Sequence, residues 1–122
     1  MELALKEYTA KEYPTYVAHA LQQAEAEGDV YNWIRAYNEQ YFVWYDQGDS
    51  VQSIMRKLGG ALEKWKEIGE LSEAKEFRSL GWLWYKYAIS ANAFGDYESS
   101  RHGFVQSTRF LRAGKLSEES VY

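Results

Sequence analysis

Cysteine is absent from this chain of 122 residues. That excludes disulfides and thiolate-bound zinc or iron–sulfur clusters, and it is silent about compartment. Proline occurs once, at Pro14, which argues against a loop-rich or all-β chain. Only two histidines occur, and no His-Glu-x-x-His, Gly-rich phosphate loop or Gly-x-Ser-x-Gly is present. No apolar run reaches membrane-spanning length, and Met1 to Lys11 lack the basic-then-apolar order of a secretory leader. A cytoplasmic protein is the default expectation. Basic residues are in deficit, with a formal charge of −4, so no general attraction to nucleic acid or anionic lipid is expected.

What is abundant is aromatic. Residues Phe, Trp and Tyr make up 17% of the chain, with 11 Tyr and 5 Trp, while hydrophobic residues total 46% and charged ones 26%. That balance belongs to a folded domain, not a disordered segment. A chain of this length makes one domain and buries roughly two thirds of its unfolded surface.

Four junctions pair a helix stop with a helix start: Gly28-Asp29, Gly48-Asp49, Gly69-Glu70 and Gly95-Asp96. Glycine suits the left-handed residue just past a helix end, and aspartate at the next position caps the following helix. At the third junction the cap is expected at Ser72, since glutamate caps poorly. Gly114 is expected to close the last helix. Such short links leave room for little except antiparallel helical hairpins. The predicted architecture is all-α, about five antiparallel helices in one domain over 1–122, with 114–122 as a tail.

Periodicity agrees. Ala10, Tyr13, Val17, Ala20, Leu21 and Ala24 share one face of the first helix, for which Thr9 to Glu12 reads as a capping box and Thr15 is an alternative start. Val30, Ile34, Tyr37, Tyr41 and Trp44 align in the second, with Trp33 and Tyr45 flanking; Val51, Ile54, Met55, Leu58, Ala61, Leu62 and Trp65 in the third. The fifth presents Tyr97, Ser100, Phe104, Ser107, Thr108 and Leu111. The fourth differs, being apolar nearly all round from Gly81 to Phe94 with Lys86 as its only charge. Such a helix is either central or covered on its outer side by another molecule. Gly59, Gly60, Gly81 and Gly103 fall inside helices, where close helix approach is the expected compensation for about 1 kcal/mol each.

The stretch Trp84, Ala88, Ala91, Gly95-Asp96-Tyr97, Ser100 and Phe104 resembles a tetratricopeptide repeat in its spacing of large and small positions. Leu58, Leu62, Trp65, Gly69, Leu71 and Ala74 are similar, and together the stretches span about half the chain. The turns lie closer than the family's roughly 34-residue period, and the closing proline is missing. The resemblance therefore implies an irregular, repeat-like scaffold that binds polypeptides and catalyses nothing.

Two surfaces stand out for function. The spare apolar face of the fourth helix, Trp82, Leu83, Ile89 and Phe94, suits a self-association or partner patch, because tryptophan is a common interface anchor. On the last helix, Arg101, His102, Arg109 and Arg112 fall within roughly 100° on the helical wheel. Arginine forks fit the carboxylates of an acidic partner segment, although arginine also complements a helix C-terminus. The acidic stretch Ser117 to Ser120 is expected to fray, or to cross onto a neighbouring copy's arginines. His19 reads as a surface residue, and the Glu98–His102 pair lacks further metal ligands. Glu25, Glu27, Glu63, Glu67, Glu73 and Glu76 are expected on solvated faces. No catalytic residue, cofactor or metal is expected. The function expected is a homo-oligomeric protein-interaction module. Its alternatives are a nucleic-acid-binding subunit holding single strands by arginine and aromatic stacking, or a small phage or mobile-element inhibitor of a host enzyme.

Overall fold

The computed structural model describes residues 11–119. Among them are five α-helices and no strand: α1 (Tyr13–Glu27), α2 (Val30–Asp46), α3 (Val51–Ile68), α4 (Ala74–Phe94) and α5 (Tyr97–Glu119). Pro14 sits in the first turn of α1, where its missing N–H costs nothing, so the helix begins at Tyr13 and not at Thr15. Thr9 and Ala10 of the expected capping box lie outside the described residues.

Three of the four turns are built alike. Gly28, Gly48 and Gly95 adopt positive φ, and the N–H of the next residue bonds back to the carbonyl of Ala24, Trp44 or Ala91 at 2.9–3.0 Å. The left-handed glycine reverses the chain while satisfying a carbonyl at the helix end. Asp29 then caps α2 through the N–H of Asn32, and Asp96 caps α5 through the N–H of Ser99, both at 3.1 Å. At the second turn the cap falls one residue late, on Ser50. Asp49 is thereby freed to take the Ser53 hydroxyl at 3.1 Å and the Lys57 ammonium at 2.8 Å.

The third turn departs from expectation. Gly69 is extended, with φ 174°. The link runs to Glu73, which is the N-cap of α4 in place of Ser72. Glu76 reaches back to the Glu73 N–H at 2.7 Å and accepts from the Ser72 hydroxyl at 3.1 Å. It is therefore a buried capping residue and not part of a solvated face. The expected stop at Gly114 is not one either, since α5 continues to Glu119. Gly114 instead lies buried against α4, where a Cβ would stand 2.7 Å from Arg78 Cγ and 2.9 Å from the Ala74 carbonyl.

α4 is the central helix, packed against α2, α3 and α5. Trp33, Ile34, Leu58, Leu80 and Leu83 are fully buried in the core between these helices. Asn38 bolts α2 to α4: its amide donates to the Ser79 carbonyl at 3.0 Å and its oxygen accepts from Lys86 at 2.7 Å. The α4–α5 pair makes the most extensive helix contact among the described residues. A Cβ on Gly81 would meet Leu111 at 2.8 Å, and one on Gly103 would meet Ala88 at 2.9 Å. Small residues let these two helices approach closely, which offsets the helix propensity that the glycines forgo.

Candidate functional site

The α4–α5 seam decides which side chains are left outside. The face of α5 turned inward carries Ser100, Gly103, Ser107 and Gly114, all buried. Expectation had placed Tyr97, Phe104 and Thr108 on the core side; the structure leaves all three exposed. The reason is distance. A seam this narrow excludes bulky rings, so the large residues are rotated outward onto the wall of the array.

On that wall three rings form a ladder from α4 to α5. Trp82 meets Tyr85 edge-on with centroids 5.7 Å apart, and Tyr85 meets Phe104 at 5.8 Å. Trp82 keeps 50% of its surface exposed, and Tyr85 and Phe104 are also open to solvent. Ile89, two turns beyond Trp82, is half-buried beside them. Phe42 of α2 is exposed, with the Lys86 ammonium 5.0 Å above its ring. Burial holds the Lys86 ammonium below the ordinary lysine range, and Glu39 pulls it back up. Glu39 is itself bound by the Tyr13 hydroxyl.

The outer face of α5 continues the wall. Tyr97 is 70% exposed and Val105 is 59% exposed. An open groove of about 790 Å³ runs along this face, with Tyr97 at one end and Arg112 at the other. Arg101, Arg109 and Arg112 line it and are all exposed.

The structure brings together some of the residues expected to act as a group and separates others. Leu83 is a correction: it is 0% exposed and belongs to the core cluster between the helices, not to the outer wall. Trp82 and Ile89 do share the wall. Phe94 is exposed but lies about 120° around α4 from Trp82. Of the four basic residues of α5, Arg101, Arg109 and Arg112 line one groove on its outer face. Arg109 also lies over Phe110 at 5.9 Å and borders a cleft of about 360 Å³ lined by Trp65, Lys66 and Trp84. His102 does not line that groove and stands 5.4 Å from the Trp84 ring.

Tyr85, Phe104, Val105, Tyr97 and Phe42 were not anticipated as surface anchors. One signal was available for Phe42, which falls off the apolar stripe of α2, and one for Tyr85, one turn after Trp82. Among the described residues no three His, Asp or Glu side chains gather to hold a metal ion, and no helix is long and apolar enough to cross a membrane. Comparison with protein-family models, with characterised proteins and with solved structures finds no match to this chain.

Proposed function

We propose that this chain is a non-catalytic, self-associating protein-interaction module of the cytoplasm, using a tetratricopeptide-like helical scaffold to display an aromatic docking wall. The observation that carries this reading is the Trp82–Tyr85–Phe104 ladder, three rings held by mutual contact yet open to solvent. Rings fixed in this way bind with little further loss of rotamer freedom, and aromatic residues dominate interface hot spots. The mutual packing of α2, α3 and α4 with α5 added at one end supports the scaffold analogy, as do the fully buried Ala88 and Ala91 at its small positions. Arg101, Arg109 and Arg112 share one groove and suit the carboxylates of an acidic segment, while the formal net charge of −4 lends less support to a nucleic-acid reading.

The test is selection of a displayed random-peptide library on the immobilised chain, followed by affinity measurement on Trp82→Ala and Phe104→Ala variants. Loss of one hot-spot ring is expected to weaken the selected peptides at least about tenfold, with helix content unchanged by circular dichroism. Peptides that bind both variants as tightly as the parent chain would remove the wall from consideration.

A further inference from the structure

The cleft beside Trp84 is built differently from the outer wall. It has a volume of about 360 Å³ and draws on three helices: Trp65 and Lys66 of α3, Trp84 of α4, and Gln106, Arg109 and Phe110 of α5. Only Arg109 is shared with the outer groove of α5. Trp65 and Phe110 meet edge-on with centroids 6.2 Å apart, and each carries a cation over its ring. These are the Lys66 ammonium at 5.7 Å and the Arg109 guanidinium at 5.9 Å. The Trp84 ring is braced edge-on by Tyr87 at 5.8 Å and by His102 at 5.4 Å. Its indole N–H is, among the described residues, the one buried side-chain polar group without a hydrogen-bond partner. No Asp or Glu lines the cleft, and neither Lys66 nor Arg109 is in an ion pair among the described residues.

We infer that this cleft binds a small aromatic carboxylate, its ring packed against Trp65, Trp84 and Phe110 and its carboxylate held by Lys66 and Arg109. Three separate features carry that chemistry. Two cations without carboxylate partners concentrate positive charge at one cleft of a chain whose formal net charge is −4, and an anion is their complement. A monoanion suits that overall charge better than a phosphate dianion, and a planar carboxylate matches the arginine fork. The aromatic walls, already fixed by contact with one another, offer flat apolar surface to a ring. A buried donor without an acceptor costs free energy until one arrives, and a carboxylate oxygen can supply the Trp84 N–H with the partner it lacks. Ligand pockets span about 300–1,000 Å³, so this cleft suits a ligand of one or two rings and not a long polypeptide segment. The inference does not depend on the outer wall as a docking surface.

The 5 tryptophans of the chain make occupancy readable residue by residue, because each gives its own indole N–H signal in the NMR spectrum of the isotope-labelled full chain. The signals are assigned by replacing each tryptophan in turn with phenylalanine. The probes are phenylacetate and cinnamate, their uncharged amides, acetate, and phenyl phosphate. The result expected is saturable movement of the Trp65 and Trp84 signals with both aromatic carboxylates, while those of Trp33 and Trp82 stay in place. The amides and acetate are expected to bind at least about tenfold more weakly. Lys66→Gln and Arg109→Gln, both at exposed positions, are each expected to raise the Kd about fivefold or more with helix content unchanged. No saturable movement with either carboxylate overturns the inference. Amides that bind as tightly, movement of Trp82 equal to that of Trp84, or unchanged affinity in both variants overturns it equally. Phenyl phosphate bound more tightly than phenylacetate overturns the choice of carboxylate. Each of these outcomes leaves peptide binding by the wall untouched.

Discussion

Trp82 and Trp33 are the same residue type in opposite surroundings, and the difference has a measurable consequence. Trp33 is fully buried in the core, with its indole N–H donating to Glu25 at 3.4 Å. Its replacement by alanine is expected to cost about 3–5 kcal/mol through lost burial and a residual cavity. Trp82 has half its surface in water, and Trp82→Ala is expected to leave helix content and Tm close to those of the parent chain. Thermal unfolding followed by circular dichroism distinguishes the two. A collapse in the Trp82 variant would make that ring part of the core. Three tyrosines add a pH dependence. Tyr13 is raised by burial and by its bond to Glu39, Tyr37 by burial and Glu25, and Tyr41 by burial and Tyr45. In the unfolded chain these phenols ionise near pH 10, whereas the fold resists ionisation. The unfolded state therefore releases protons first, and stability falls as pH rises above about 10. Absorbance at 295 nm is expected to show a late group of phenols titrating together with loss of helix. Simple titration of all the tyrosines near pH 10, with helix intact, would contradict this.

Between helices, the α4–α5 seam is where geometry overrules propensity. Gly103→Ala gains about 1 kcal/mol of helix propensity, but its new Cβ would lie 2.9 Å from Ala88 Cβ and 3.1 Å from Ala88 Cα. Backbone cannot yield as a flexible side chain does, so a net loss of about 1–3 kcal/mol is expected. Gly60 has nothing within 4 Å of its added Cβ, and Gly60→Ala is expected to stabilise the fold by up to about 1 kcal/mol. Opposite signs from two helical glycines, read from chemical denaturation midpoints, would verify the seam; equal stabilisation by both would refute it. The same seam explains what sequence could and could not reveal. Turns at Gly28, Gly48 and Gly95 are legible because a left-handed position followed by Asp has one common use. Gly69 and Gly114 carry the same letter for other reasons, an extended link and a close approach. The wheel of α5 was misjudged because hydrophobicity assigns Phe104 and Tyr97 inward, whereas the narrow contact with α4 selects Ser100, Gly103 and Ser107.

For the whole molecule, the consequence is an array whose central helix serves two masters. α4 is central, and a strip of it still remains outside, joined through Tyr85 to the outer face of α5. Of the two alternatives raised by its all-round apolar character, the packing shows the central position. Its centrality was readable from composition, but the exposed aromatic wall was not, because the wall is assembled from two helices whose relative rotation depends on small residues far apart in sequence. Trp82 and, one turn on, Tyr85 are legible on α4 alone; Phe104 and Val105 join them only once α4 and α5 are packed. The most direct test is hydroxyl-radical footprinting of the chain with and without a library-selected peptide, read residue by residue by mass spectrometry. Trp82, Tyr85 and Phe104 are expected to oxidise readily in the dilute free chain and to become protected on peptide binding, with Trp33 and Leu83 shielded throughout. Trp82 as shielded as Trp33 in the free chain, or a wall that stays fully reactive when peptide is bound, would contradict the account.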